Sequence, residues 1–209
     1  MIISYELGNS LYINLTNRCS NACEFCLRNG EKDLGAEHWN TDGDLSGASA
    51  LWLEREPDVD EIIADLRTRE LSKYDEVVFC GFGEPFTRFD DCAAVANRLK
   101  RCGVKIRVNT NGQANLIHGR DVTGEMVGLF DVVSISLNGK NAEEYQRVCH
   151  SDYGEAAYDA LLDFGQKCAE KGMKTVFTVV DLMSEEDIKL CGEIAAAHGG
   201  TLRVRKYIE

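Results

Sequence analysis

The feature that most constrains the fold of this chain is a regular alternation of strand-like and helix-like segments. The predicted strands are Leu11–Leu15, Glu76–Cys80, Lys105–Asn109, Val132–Leu137, Lys174–Val180 and Thr201–Lys206. The predicted helices are Val59–Leu71, Asp90–Cys102, a short one near Gly124–Phe130, Glu155–Lys171 and Glu185–His198. Strands that alternate with helices are typical of repeated right-handed βα units, so the pattern predicts an α/β fold with a parallel sheet.

Chain length limits the number of domains. The chain has 209 residues, and at roughly 150 residues per domain this fits one domain or two very small ones. We expect a single core domain over residues 1–209. One segment interrupts the alternation: residues 28–56 are rich in Gly, Asn, Asp and Ser and predict a long loop, with a short helix around Ala50–Glu54. Loops of this length in compact domains are usually functional.

Charge and hydropathy limit the partners and the compartment. The chain carries 35 Asp and Glu against 23 Lys and Arg, a net charge of −12, which repels phosphate and argues against nucleic acid or anionic lipid as a partner. No apolar run reaches the ~18 residues of a membrane span, and the N-terminus lacks the basic start of a signal peptide. We therefore expect a cytoplasmic protein with no membrane partner, whose thiols stay reduced.

Three of the nine cysteines cluster directly after the first predicted strand, in Cys19-Ser20-Asn21-Ala22-Cys23-Glu24-Phe25-Cys26. Three thiolates on one tight loop suit zinc or an iron–sulfur cluster. Zinc would want a fourth ligand, which His38 or Cys80 could supply. A four-iron cluster held by Cys19, Cys23 and Cys26 instead leaves one iron open for a small molecule.

The other six cysteines have no ligand spacing in the sequence. Four of them lie on predicted helices, where a lone cysteine is usually a small buried hydrophobic residue: Cys92, Cys102, Cys168 and Cys191. Cys80 ends a strand and is the one expected to face a cavity. Cys149, beside His150, is the weaker candidate. These positions predict one metal cluster and no second one.

Several predicted strands place polar residues on one face, which is unusual for strands covered on both sides. These residues are Tyr12, Asn14 and Thr16; Arg107, Asn109 and Asn111; Ser134, Ser136 and Asn138; and Arg203, Arg205 and Tyr207. A polar concave face predicts a cavity for a ligand, because an ordinary barrel interior is filled by branched apolar side chains. The alternative is that some of these are edge strands wetted by solvent.

Further motifs follow the strands, where α/β folds bind ligands. In Gly81-Phe82-Gly83-Glu84-Pro85, glycines let the main chain approach a ligand closely and a carboxylate complements an amine; the alternative is a plain turn with an exposed acid. Arg203 and Arg205 are candidates to bind carboxylates bidentately; the alternative is that they are surface arginines. The remaining motifs are Asn109-Thr110-Asn111-Gly112, Ser134-Ile135-Ser136-Leu137-Asn138, Val179-Val180-Asp181, and the pair Arg203 and Arg205.

The cysteine loop, with an aromatic residue before its third cysteine, resembles the hallmark of the radical SAM superfamily. The resemblance implies a [4Fe–4S] cluster on Cys19, Cys23 and Cys26, with S-adenosylmethionine (SAM) chelating the open iron. Reductive cleavage of SAM then yields methionine and a 5′-deoxyadenosyl radical. The residues that it implies for SAM binding are Phe25, Gly81, Gly83, Glu84, Asn109, Asn111, Ser136, Asn138, Asp181 and Arg205.

The resemblance also implies an incomplete, half-open TIM-type barrel of about six βα units, an external electron donor of the flavodoxin or ferredoxin type, and a substrate that the sequence does not identify. Segments around Trp52, Gly83, Asn111 and Arg205 are similar to the small radical SAM family named for its association with TatD-family nucleases. The alternatives are a glycyl-radical activating enzyme or a deazaguanine-type synthase of the same superfamily, or a non-catalytic zinc or iron–sulfur module.

Overall fold

The computed structural model describes residues 1–26 and 51–207, in two compact units. The first unit comprises Met1–Cys19 and Cys26–Val108, and the second comprises Ser20–Phe25 and Asn109–Glu209. His38 and most of the predicted 28–56 loop lie outside the described residues. No helix in the described ranges is long and apolar enough to cross a membrane.

Seven strands follow one another in chain order, and all six predicted strands are present to within two residues at either end. They are β1 (Ser4–Leu7), β2 (Ser10–Ile13), β3 (Glu76–Phe79), β4 (Ile106–Thr110), β5 (Val132–Ser136), β6 (Lys174–Val180) and β7 (Thr201–Arg205). The first pair is antiparallel. The pairs β2–β3, β3–β4, β5–β6 and β6–β7 are parallel.

The antiparallel strand β1 is a feature that the sequence analysis missed. It forms a hairpin with β2 through Gly8 and Asn9, and Gly8 adopts a φ of 57°. A Gly-Asn pair between two strand-like runs is a turn signal that could have revealed it.

The helices of the described residues match the longer predicted segments and add two short ones. They are α1 (Val59–Leu66), α2 (Phe89–Lys100), α3 (Ala114–His118), α4 (Ala142–Cys149), α5 (Ala156–Glu170) and α6 (Glu185–Ala197). Helix α1 ends five residues before the predicted Leu71, because the chain breaks into turns there and then forms the 3₁₀ turn Leu71–Lys73.

One predicted helix is wrong. Residues 124–130 form successive turns in which Met126 and Leu129 bond three residues back, and Gly128, at φ 77°, prevents a regular helix. The predicted short helix around Ala50–Glu54 begins outside the described residues; Leu51 is 3₁₀-helical, and residues 52–54 are not helical. The Asn17 side chain bonds both main-chain groups of Leu53, at 3.1 Å to its N–H and 2.7 Å to its carbonyl, and so takes the partners that a helix would need.

The polar faces of the strands divide into two groups. Asn14, Arg107, Ser134 and Asn138 are buried, which agrees with a lined interior. In contrast, Arg203 and Arg205 on β7 are exposed along with most of that strand. The wetted-edge alternative is therefore correct for β7, because it is the last strand of the described sheet and pairs only with β6.

Helix α5 packs on β5 and β6 through a glycine. A Cβ atom added at Gly165 would lie 2.4 Å from the Phe177 ring and 3.0 Å from Ile135 Cδ1. The side chains of Leu161, Phe164 and Cys168 complete the buried stripe of this helix. The close contact explains why the helix carries glycine despite its poor helix propensity.

We expect Gly165→Ala to lower the free energy of unfolding by about 1–3 kcal/mol, because an overpacked core must shift. Gly192→Ala is the matched control on α6: its added Cβ would meet only Leu202 Cδ2, at 3.9 Å. That change should raise the free energy of unfolding by up to ~1 kcal/mol through helix propensity. Urea unfolding of both variants measures the two effects, and equal values would contradict the packing argument.

Candidate functional site

The loop after β3 packs on the segment that leads to Cys19, and it can do so only with glycines. A Cβ atom at Gly81 would lie 2.0 Å from Asn14 Oδ1, and one at Gly83 would lie 2.4 Å from the Thr16 carbonyl and 2.5 Å from that of Arg18. The N–H of Glu84 donates to the same Arg18 carbonyl, at 2.8 Å. The two glycines therefore fix the main chain immediately before the first cysteine.

Glu84 is buried, and its carboxylate caps the next turn. Its Oε1 accepts a hydrogen bond from the Phe86 N–H at 3.0 Å, at the start of the 3₁₀ turn Pro85–Arg88. Arg88 at the end of that turn donates to the carbonyls of Leu15, at 2.9 Å, and Pro57, at 2.8 Å. The plain-turn alternative with an exposed acid is wrong, because this carboxylate is only 3% exposed. Its predicted contact with the SAM amino group stays a prediction.

Glu56, which the sequence analysis did not single out, ties down the same segment. Its carboxylate accepts from Thr16 Oγ1 at 2.5 Å and from two nitrogens of Arg18, at 2.8 and 3.0 Å. Partial burial raises the pKa of Glu56, but the hydrogen bonds from Arg18 and Thr16 outweigh it, so the net pKa is lowered. The carboxylate thus stays ionised and holds both residues before Cys19.

The second unit holds the middle of the cysteine loop through a buried hydrogen-bond network centred on Gln113. Its Oε1 accepts from Ser20 Oγ at 2.8 Å and from Ser151 Oγ at 3.1 Å. Its Nε2 donates to Asn21 Oδ1 and to the Tyr145 hydroxyl, both at 2.9 Å. Gln113 is 0% exposed, so every one of these bonds forms away from water.

Asn111, predicted to bind SAM, belongs to this network. Its Nδ2 donates to Ser20 Oγ at 2.9 Å, and its Oδ1 accepts from the Gln113 N–H at 3.0 Å. The structure thus places Asn111 under the cysteine loop and gives it a structural role there. The only sequence signal for this network is that Gln113 directly follows the Thr-Asn-Gly motif. No motif predicts that Tyr145 or Ser151 takes part.

The three cysteines themselves are partly exposed thiols within eight residues of chain. The Cys23 thiol is hydrogen-bonded to the Cys149 side chain; this bond and burial raise its pKa well above the ordinary range. In the described ranges 1–26 and 51–207, no three His, Cys, Asp or Glu side chains are gathered to hold a metal ion. The donor set nevertheless fits an iron–sulfur cluster, because three soft thiols on one partly exposed loop are its usual ligands.

A cavity of about 380 Å³ lies beside the cysteine loop within the second unit. Its lining residues are Glu24, Phe25, Asn138, Glu144, Arg147, Val148, Val180, Leu182, Met183, Ser184, Asp187 and Tyr207. Two predicted SAM-binding residues, Phe25 and Asn138, are thereby brought together at one cavity. Two others, Asp181 and Arg205, are sequence neighbours of lining residues, and their main chains are bonded to each other at 2.9 Å.

Asn138 is the most informative residue of this cavity. It is 7% exposed and adopts a φ of 50°, which is unusual for a residue other than glycine. Its Nδ2 donates to Cys149 Sγ at 3.8 Å, while its Oδ1 is buried and has no partner among the described residues. A buried acceptor without a partner is costly, which singles out Asn138 among the residues that line this cavity.

The other predicted SAM-binding residues lie at strand ends. Ser136 ends β5 and is half-buried, and Asn109 lies near the end of β4. The Asp181 carboxylate accepts from the Tyr207 N–H at 2.6 Å, so it joins the ends of β6 and β7. Among the lone cysteines, Cys102 is exposed beyond the end of α2, which corrects its expected burial; Cys92, Cys168 and Cys191 are buried as predicted.

We expect Gln113→Leu to lower the free energy of unfolding by about 3 kcal/mol or more, because it leaves several buried groups without partners. Thr175→Val, which removes a buried hydroxyl with one bond to the Met173 carbonyl, is the control and should cost about 1 kcal/mol. Hydrogen exchange of the Ala22 and Glu24 amides should accelerate in the first variant only. Equal exchange in both variants would show that Gln113 does not hold the loop.

Relatives of this chain include both curated and structurally solved proteins. A probable GTP 3′,8-cyclase from Methanothermobacter thermautotrophicus is 29% identical over 147 residues, which is 70% of this chain and 40% of that protein. The structure is similar to Streptococcus suis SuiB bound to S-adenosylmethionine, with a TM-score of 0.69 and 16% identity, over 97% of this chain and 41% of SuiB. A radical SAM methyltransferase from Sphaerobacter thermophilus is similar with a TM-score of 0.62 and 15% identity. The match covers 97% of this chain and 68% of the methyltransferase chain.

These likenesses bear on the fold over nearly the whole chain. At such low identity they show the fold alone, and they confirm the predicted fold class, a half-open TIM-type arrangement of βα units. The chain spans about two fifths of the length of the cyclase and of SuiB.

A family model gives the more decisive match. The model described as the Radical SAM superfamily matches residues 13–192, from β2 into α6. It confirms the expected radical SAM enzyme, of unspecified reaction, while the narrower TatD-associated family stays a prediction. Because the match spans well over half of its length, the chain belongs to the radical SAM superfamily, and that family implies a [4Fe–4S] cluster and SAM as its cofactors.

Proposed function

We propose that this chain binds one [4Fe–4S] cluster through Cys19, Cys23 and Cys26 and binds SAM in the cavity beside Phe25. When bound, these groups supply reductive cleavage of SAM to methionine and a 5′-deoxyadenosyl radical, which acts on a substrate still to be identified. The observation that carries the proposal is Asn138, which lines the cavity of about 380 Å³ next to the cysteine loop and whose side-chain carbonyl oxygen has no partner among the described residues.

The cavity matches the adenosine part of SAM in chemistry. Phe25 offers an aromatic face for the adenine ring, and Asn138 Oδ1 offers an acceptor for an amino or hydroxyl donor. Val180 and Leu182 supply apolar surface to the lining. The carboxylates of Glu144 and Asp187 lie on the same lining, where Arg147 and Lys140 form ion pairs with them.

The loops around the cysteines position the ligands without taking part in chemistry. The Gly81–Pro85 loop holds the chain before Cys19, and the Gln113 network holds Ser20 and Asn21 after it. A ligand loop whose first residues are already held in place lowers the ordering cost of binding a cluster. We infer that Gly81, Gly83 and Glu84 contribute to SAM binding, together with Asn109, Ser136, Asp181 and Arg205.

The wider setting of the enzyme is also part of the proposal. We expect a single core domain over residues 1–209, a cytoplasmic location and an external electron donor of the flavodoxin or ferredoxin type. The relatives include a cyclase, a methyltransferase and an enzyme solved with a precursor peptide, so the family supports several substrate classes. A glycyl-radical activating enzyme or a deazaguanine-type synthase remains the alternative within the superfamily, and a zinc or iron–sulfur module without turnover the alternative outside it.

Anaerobic reconstitution tests the proposed cluster. The wild-type chain should become brown and hold about four irons, whereas Cys19→Ala, Cys23→Ala and Cys26→Ala should each lose that iron. Cys102→Ala, at an exposed position away from the loop, is the control and should keep it. With a strong reductant, the loaded chain should release 5′-deoxyadenosine from SAM. A colourless chain with stoichiometric zinc, or full iron without SAM cleavage, would overturn the proposal.

Asn138→Gly tests the cavity. It removes the amide and suits the left-handed backbone, so we expect a normal fold with SAM affinity at least ~10-fold weaker, in line with the loss of a buried hydrogen bond. His150→Gly is the matched control, because His150 has a similar φ of 45° but does not line the cavity. Equilibrium dialysis of iron-loaded protein with labelled SAM measures both, and unchanged affinity for the Asn138 variant would place SAM elsewhere.

A further inference from the structure

Cys23 is held against the end of helix α4 by its neighbours on both sides. The Ala22 N–H donates to the Cys149 carbonyl and the Glu24 N–H donates to the Val148 carbonyl, each at 3.0 Å. The Gln113 network fixes Asn21 on the same segment. These bonds bring the main chains of Cys23 and Cys149 side by side.

The two thiols also meet. The Cys23 side chain is hydrogen-bonded to that of Cys149, and Asn138 Nδ2 points at Cys149 Sγ from the other side, at 3.8 Å. Cys149 is 0% exposed, whereas Cys23 is partly exposed. A solvent-accessible thiol that lies against a buried one can pass its oxidised state to that neighbour as a disulfide.

We propose that Cys23 and Cys149 form a disulfide in the cluster-free chain, and that this bond must be reduced before a cluster can assemble. The second half rests on the proposed function, because it requires Cys23 as a cluster ligand. The bond occupies one of three ligand sulfurs, and two remaining thiols are too few for the cluster. Cys149 therefore acts as an internal partner that holds the ligand sulfur in a recoverable oxidised form.

The oxidant that the proposal names is a small disulfide such as oxidised glutathione. The Cys23 sulfur attacks one sulfur of the oxidant, whose S–S bond breaks and releases the first glutathione with a proton. The Cys149 sulfur then displaces the second glutathione, which also leaves with a proton. One S–S bond forms and one breaks, two cysteine thiols are oxidised, and two glutathione thiols are produced.

A disulfide in a reducing compartment is typically transient and tied to redox chemistry, and this pairing fits that class. The intraloop alternatives, Cys19 with Cys23 and Cys23 with Cys26, would compete for the same sulfur. The main-chain bonds of Ala22 and Glu24 favour Cys149 over both, because they hold Cys23 against Cys149 before any oxidation.

Peptide mapping of the cluster-free chain tests the bond itself. The chain is incubated without iron in oxidised glutathione at mildly alkaline pH, its free thiols are blocked, and it is digested with trypsin. The expected product is a disulfide-linked pair of peptides, residues 19–28 and residues 148–167. Formation of the bond removes two hydrogens from their combined mass. Fragmentation of the linked pair should place the bond on Cys23. The link should vanish in Cys149→Ser and persist in Cys168→Ser, a buried cysteine on α5. An intraloop disulfide as the main product, or no link, would overturn the proposal.

Iron uptake tests the consequence. The oxidised wild-type chain should take up iron and sulfide at least ~10-fold more slowly than after treatment with dithiothreitol, while Cys149→Ser should load at the same rate with or without it. If the link forms but iron loading is equally fast in oxidised and reduced wild-type protein, the disulfide exists but does not control cluster assembly, and the second part of the proposal is wrong. If no form of the chain binds iron, the proposed function fails, and the peptide map still decides whether the bond exists.

Discussion

The hydrogen bonds around the buried amide of Gln113 are the constraint on which the cysteine loop depends. The loop has no regular secondary structure, so residues 20–25 depend on bonds to the rest of the second unit, from these side chains and from the main-chain bonds of Ala22 and Glu24 to helix α4. A buried amide with four partners is strongly directional, because each missing bond would leave a polar atom without water. Ser20 and Asn21 are therefore held in one arrangement. Because Cys23 follows them closely and its neighbours bond helix α4, the position of Cys23 is fixed as well.

The first unit supplies a different kind of constraint, based on volume. Gly81 and Gly83 allow the loop after β3 to approach Asn14, Thr16 and Arg18 more closely than any side chain would permit. Glu56 and Arg88 then bond the same short segment from its other sides. Ligand loops that bind clusters need little reorganisation when such contacts are already in place.

The sequence predicted the elements whose signals are local and periodic. Strands β2 to β7 and the long helices α2, α5 and α6 follow from apolar spacing alone, and the cysteine loop from its spacing. Hairpin strand β1 and helices α3 and α4 are too short for a periodic signal. The roles of Gln113, Tyr145 and Cys149 depend on contacts between distant parts of the chain, which no local pattern encodes.

The structure brings some of the residues predicted from motifs together at one cavity, and their roles in SAM binding stay predictions. Phe25 and Asn138 both line one cavity. The side-chain amide of Asn111 instead donates a hydrogen bond to Ser20 of the cysteine loop. A strand-end asparagine serves equally well as a ligand contact or as a loop anchor, and only the position of its partners decides between them. Cys149 is the weaker candidate by its sequence position, yet its carbonyl accepts a hydrogen bond from the Ala22 N–H of the cysteine loop.

Strand β7 has a consequence for how copies of this protein behave at high concentration. It is the last strand of the described sheet, and an exposed edge strand can recruit the same strand of a second molecule. Antiparallel pairing about the centre of β7 would set Arg203 opposite its own copy, and Arg205 opposite Thr201. Facing guanidinium groups repel one another, so this strand discourages edge-to-edge stacking and favours colloidal stability of the separate chains.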